Sequence, residues 1–248
     1  MSSIAISLIV FACVFAAALL GTFLRAIVPE HHLSADSKGV VNLGMALVAT
    51  MSALVLGLLI ASAKNSFDTQ NTAFTEMSAQ VVVLDRVLAH YGPETKEVRD
   101  LLRTTVVHVL DQMGSKNPIG QEAPSAGREV LLDKIQELSP KDDRQRSLQA
   151  QAFSIVMGLL QTRWLQYQQT TTAVSVPLLV VLVLWLTVIF MSFGLFAPHN
   201  ATAVASLLIC ALSVSAAILL ILEMYTPYAG MIKISSAPLR FALAHLGQ

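Results

Sequence analysis

Charged side chains are missing from four long stretches of this 248-residue sequence: Ser2 to Leu24, Gly39 to Ala63, Thr170 to Pro198 and Asn200 to Leu222. At about 1.5 Å of rise per residue the shortest exceeds a hydrocarbon layer of roughly 30 Å, so each suits lipid better than water. No excess of positive charge exists either. With 16 Lys/Arg against 16 Asp/Glu the formal charge is zero, which excludes the basic face needed to displace counterions from nucleic-acid phosphates. Cysteine is scarce. Cys13 and Cys210 both fall inside uncharged stretches without a CxxC partner, so they read as small packing residues with no redox role. GxSxG, HExxH, Walker A and paired CxxC motifs are absent; no enzyme, cofactor or metal is expected. No Lys or Arg precedes the first stretch, which therefore reads as a retained span and not as a secretory signal.

What is present is an all-α membrane protein pattern. Mean hydropathy is +0.64 and charged residues make up 13%. Between Lys64 and Thr171 lie 12 of the Lys/Arg and 13 of the Asp/Glu, so the middle faces water and the ends do not. The expected architecture is four transmembrane helices arranged as two hairpins, with a helical cytoplasmic domain inserted between spans two and three. The expected divisions are 1–63 (first hairpin), 64–169 (central domain continuous with spans two and three), 170–230 (second hairpin) and 231–248 (amphipathic tail). Lys64, Arg163, Lys233 and Arg240 outnumber Arg25 and Lys38 across the membrane, which places both termini and the central domain in the cytoplasm.

After span two the first turn signal is Tyr91-Gly92-Pro93. Before it, Phe67, Phe74, Met77, Val81, Leu84, Leu88 and Tyr91 follow at steps of 7, 3, 4, 3, 4 and 3, a coiled-coil-like stripe that predicts a helical stalk packed on another helix. Pro93 opens a second helix, 114–125 is a loop, and a short helix around Leu131 and Ile135 stops at Ser139-Pro140, where Ser139 is expected to cap the next helix. That helix is expected to run unbroken into span three, with a kink or break at Pro177. The tail, with Leu239, Leu243 and Leu246 on one face, is expected to lie along a membrane surface.

Small residues inside lipid mark helix contacts or water-lined paths. Span two carries Asn42, Ala46, Thr50, Ala53, Gly57, Ala61 and Lys64 at steps of three or four. Span four carries Ser206, Cys210 and Ser213, and span one Cys13, Ala17 and Gly21. Span three has no such stripe and is expected to face lipid, the others protein. Two readings of the span-two stripe stand open: a pore lining, with dipoles from Asn42 and Thr50 and a charge from Lys64 at the inner mouth, or a seam of packed helices. No Asp, Glu, Lys or Arg lies mid-membrane, so a proton relay or voltage sensor has no carrier. Glu223 is expected as an interface carboxylate, solvated or paired. Glu30, His31, His32 and Asp36 are expected to form an exposed loop and not a cation site. Asn200-Ala201-Thr202 matches a glycosylation sequon too short to carry weight.

Two phrases, LVLGLLIASAKNSFD from Leu54 to Asp68 and PYAGMIKISSAPL from Pro227 to Leu239, resemble a bacterial membrane family described as bestrophin-like, whose activity is unassigned. The resemblance covers nearly the whole chain. It implies a multi-pass protein of the bacterial cytoplasmic (inner) membrane with four spans and a helical cytoplasmic insert. Bestrophins are pentameric anion channels whose second transmembrane helix lines the pore, so the resemblance further implies a homo-oligomeric ion channel with span two along the ion path. Bestrophins narrow that path with bulky apolar residues and bind calcium through an acidic cluster; here the stripe is small and no such cluster occurs. The alternative expectation is a non-conducting scaffold or signalling protein whose cytoplasmic bundle, residues 92 to 147, binds a protein partner. On either reading the lipid bilayer and further copies of the chain are the expected partners.

Overall fold

The structure, a computed structural model, describes residues 2–27, 35–114, 126–171, 176–198, 200–228 and 230–247. Regular structure among them is helical throughout: α1 (Ser3–Ile27), α2 (Ala35–Tyr91), a 3-10 turn (Pro93–Thr95), α3 (Lys96–Gly114), α4 (Ala126–Gln136), α5 (Asp143–Thr171), α6 (Val176–Phe196), α7 (Ala201–Met224) and α8 (Ala237–His245). The chain divides into two compact units, an apolar one of residues 1–65 and 174–225 and a polar one of residues 66–173 and 226–248. Four helices, α1, α2, α6 and α7, are long and apolar enough to cross a membrane.

In the apolar unit α1 packs along α6 and, over a shorter stretch, against α7. The buried edge of α1 is Ser7, Val10, Val14, Ala17, Ala18 and Gly21, which recur at helical spacing. α6, the helix it packs along, buries Leu182, Leu186, Ile189, Phe190 and Gly194. A methyl group at Gly21 would overlap the Met191 carbonyl oxygen, and one at Gly194 would overlap that of Ala18. The two glycines therefore let the backbones touch. α7 joins through Ala211, Ser215 and Ile218, and the Ser215 hydroxyl donates to the Ser7 carbonyl at 2.7 Å. At the other end of α1, Arg25 donates to the Ala197 carbonyl. Span three thus packs on protein along one face, where the sequence reading turned it to lipid. A helix that is apolar all round hides its packed side, and one glycine in register with a partner suffices for close approach.

In the polar unit the stalk forms as its spacing predicts: α2 is one helix of 57 residues. Phe74, Val81, Leu84 and Leu88 enter a common core with Val98, Leu102 and Val106 of α3, Leu131 and Ile135 of α4, and Ala152 and Val156 of α5, and Tyr91 is buried at the end of the stripe. Gly92 makes the turn after α2 at φ 138, a conformation strained for any residue with a side chain. Thr95 then closes the turn, its hydroxyl donating to the carbonyls of Leu88 (2.6 Å) and Gly92 (2.8 Å).

Three local expectations change. The cap of α5 is Asp142, whose carboxylate accepts from the Gln145 backbone N–H at 2.6 Å, while the Gln145 side-chain amide oxygen accepts from the Lys141 N–H at 2.7 Å; Ser139 lies too far upstream. Pro177 stands in the first turn of α6, where a missing N–H costs no helical bond. The face of α8 expected along a membrane surface, Leu239, Leu243 and the following Leu246, turns to the core of the polar unit, where α3 lies against α8: Leu239 and Leu246 are buried in it together with Ala242, and Leu243 packs partly buried against it.

Candidate functional site

The span-two stripe lies on the part of α2 that belongs to the apolar unit. At about 100° per residue around an α-helix, this segment separates into three faces. One is buried and contains Ser52, Leu59 and Ala63. Near it the Tyr225 hydroxyl donates to Ser62 Oγ at 3.1 Å. A second face is exposed and bulky, with Leu43, Leu47, Met51, Leu54 and Leu58. The third consists of Asn42, Ala46, Thr50, Ala53, Gly57, Ala61 and Lys64, every one of them exposed on the single chain. A methyl group added at Gly57 would meet nothing within 4 Å.

From Asn42 to Lys64 the small face runs about 33 Å, close to the roughly 30 Å depth of a bilayer core. Its chemistry is mild. The Thr50 hydroxyl donates to the Ala46 carbonyl at 2.8 Å, leaving its oxygen lone pairs toward the outside of the helix. Lys64 supplies the one full charge among these seven residues, at the end of the segment.

The other expected site residues fall elsewhere. Ser206, Cys210 and Ser213 are exposed on α7, on a different side from Ala211, Ser215 and Ile218. Cys13 is exposed as well, while Ala17 and Gly21 of the same span are buried. Glu223, expected at an interface, is buried at 5% exposure. Asn200 of the sequon caps α7, its side-chain oxygen accepting from the Ala203 N–H at 3.3 Å. Glu30, His31 and His32 lie outside the described residues, as does the side chain of Asp36. Among the described residues no group of three His, Cys, Asp or Glu is placed to hold a metal ion.

A family model described as Bestrophin-like domain matches residues 12–239, most of the chain. The chain belongs to the bestrophin-like family. No curated protein and no solved structure matches it. In this bestrophin-like protein the matched segment takes in α2, α6 and α7 whole, α1 from residue 12 onward, and most of the core of the polar unit.

Sequence reasoning missed one polar element, the buried carboxylate of Asp85. Arg99 grips it with two hydrogen bonds, Nε to Oδ1 at 2.7 Å and a terminal nitrogen to Oδ2 at 2.9 Å, and the Gly247 N–H adds a third at 3.2 Å. Burial alone would raise this carboxyl's pKa, but the hydrogen bonds from Arg99 and Gly247 and the charges of Arg99 and Arg86 outweigh it and hold the group below its ordinary value. A signal did exist. Asp85 and Arg99 stand seven residues on either side of Gly92, and equal distances from the turn of a helical hairpin bring two side chains opposite each other.

Proposed function

We propose that this bestrophin-like protein is a homo-oligomeric ion channel of a bacterial inner membrane, in which the small face of α2 lines the path. The observation that carries the reading is the division of α2 into a bulky exposed face and a small exposed face. Lipid accounts for the first, since Leu and Met are as apolar as acyl chains. It does not account for the second, which offers Asn42, the Thr50 oxygen and Lys64 along a bilayer's depth. Facing copies of such a helix leave room for water between them, and a ring of Lys64 at one mouth favours anions. On this reading the spans form two hairpins, and the polar unit and both termini are cytoplasmic. The protein moves ions and performs no catalysis.

The test is conductance of the purified protein in planar bilayers. A selective current, with Lys64→Glu shifting the reversal potential toward cations and Gly57→Leu reducing the current at least tenfold, supports the proposal. A Thr50→Cys side chain protected from a small water-soluble thiol reagent, in an oligomer whose axis is filled with side chains, overturns it. That result favours a scaffold in which the small face packs helices and the polar unit binds a protein partner, a reading helped by the Thr50 proton being spent inside its own helix.

A further inference from the structure

The polar unit holds a partly open cavity of about 100 Å³. Its walls come from α2, α3, α4 and α5 and, in the C-terminal segment that follows α7, from Tyr228 and Leu239. Aliphatic side chains such as Val106, Val156 and Leu159 make up most of them. Besides the Met77 thioether, the heteroatoms among the lining side chains belong to Ser78, Thr105, Arg163 and Tyr228. Ser78 donates to the Phe74 carbonyl at 2.9 Å and Thr105 to that of Leu101 at 2.8 Å. Arg163 already has an interaction within the protein. The Tyr228 hydroxyl is covered by neighbouring atoms, without a hydrogen-bond partner, and so presents no donor to the space. No Asp or Glu lines the cavity. An ionised head entering it would give up water and meet no uncommitted counter-charge, which is costly, and a buried water would lack the two to four polar partners it needs. The chamber suits an uncharged aliphatic group.

Tyr228 and Leu239 place this cavity on the seam between the C-terminal segment and the helices it covers. A smaller one, of about 10 Å³, lies on the same seam between Met113 of α3 and Pro227, Tyr228, Lys233 and Ile234. Gaps of this kind forfeit dispersion contacts, and the unpaired Tyr228 hydroxyl adds the cost of a buried donor without an acceptor. Ile234, Leu239, Ala242 and Leu246 nevertheless join the core, and the Gly247 N–H reaches the Asp85 carboxylate at 3.2 Å. The segment is therefore seated but incompletely packed. A molecule in the larger cavity would touch both sides of the seam.

We propose that this cavity takes the aliphatic chain of a small uncharged molecule, and that its occupancy fastens the C-terminal segment to the bundle. The space is smaller than the roughly 150 Å³ that holds a benzene molecule, so it takes a short chain, and the open side leaves a neutral polar end in water. Because the ligand contacts the seated segment and not the released one, binding shifts the segment's local opening equilibrium toward the closed form. The site lies wholly within the polar unit and does not depend on conduction.

The probe is 1-butanol, added to the full chain in phosphatidylcholine nanodiscs with its valine and leucine methyl groups labelled for NMR. The methyl signals of Val106, Val156 and Leu159 are expected to shift and saturate, whereas those of Leu43 and Leu47, exposed on the apolar unit, should drift in proportion to the butanol added. Butyrate and butylammonium should bind at least tenfold more weakly. At saturation the amides of α8 should exchange their hydrogens at least threefold more slowly, and butyrate at the same concentration should leave them unchanged. Val106→Phe, which fills the chamber, should abolish the saturable shifts at Val156 and Leu159. Where that variant fails to fold, Leu159→Ala, which enlarges the chamber, should bind 1-hexanol at least threefold more tightly than the unaltered chain does. Shifts at the cavity walls that never saturate, butyrate or butylammonium binding as well as butanol, or α8 exchange unchanged at saturation would each overturn the proposal.

Discussion

The two units of this protein are held together by opposite means. In the apolar unit the cohesive device is shape: Gly21 and Gly194 bring the backbones of α1 and α6 into contact. Hydrophobic burial contributes little there, because lipid is as apolar as the side chains it would replace. In the polar unit an aliphatic core does the binding, and hydrogen bonds set direction, with Arg99 on Asp85, Asp142 on the start of α5, and Gln149 on the carbonyls of Ile135 and Leu138 at the end of α4. Protein in lipid must therefore match surfaces, whereas protein in water must withdraw them.

If that contrast holds, the largest effect should come from a change of shape alone. Gly21→Leu places a side chain against backbone that no rotamer change can clear, and is expected to cost about 3 kcal/mol or more, read as unfolding of the apolar unit in mixed micelles. Gly57→Leu, made in open space, should leave that transition where it was. Next comes Asp85→Asn, which leaves the Arg99 charge without its buried partner and should cost the polar unit about 3 kcal/mol in denaturant unfolding.

The same residue sets a dependence on pH. The folded-state pKa of Asp85 is lowered, so its contribution is present above the unfolded value of roughly 3.9 and is lost as pH falls through the folded value. Thermal melting of the polar unit should therefore decline below about pH 4, and Asp85→Asn should flatten that decline. A smaller effect is expected for Asp142→Ala, about 1 kcal/mol from the lost cap. The smallest is Arg146→Ala, which breaks an exposed pair with Asp143 at 2.6 Å and should change stability by less than about 0.5 kcal/mol.

The contrast also explains which parts of the fold were legible in the sequence. Spans announce themselves by length and the absence of charge. In water the packed face announces itself too, because polar residues occupy the other faces: the stripe from Phe74 to Tyr91 is the one that is buried. Inside lipid that code fails. α6 is apolar on every side, so Leu182, Leu186 and Ile189 are indistinguishable by type from the exposed Val180 and Leu184. On α2 the small stripe was readable as a stripe, yet its residues stand uncovered, and residue type alone does not tell a face that waits for another copy from one already packed. For α8, its amphipathic pattern suits a membrane surface and a protein surface equally, and only the core it joins decides between them.

The contact between Gly21 and Gly194 joins positions more than 170 residues apart in the chain. At a synthesis rate of roughly 5 to 20 residues per second, the first helix waits about 10 to 30 s in the bilayer before its partner exists. During that interval the glycine edge of α1 lacks the surface it fits, so α1 must persist in lipid with that side unpacked until α6 arrives.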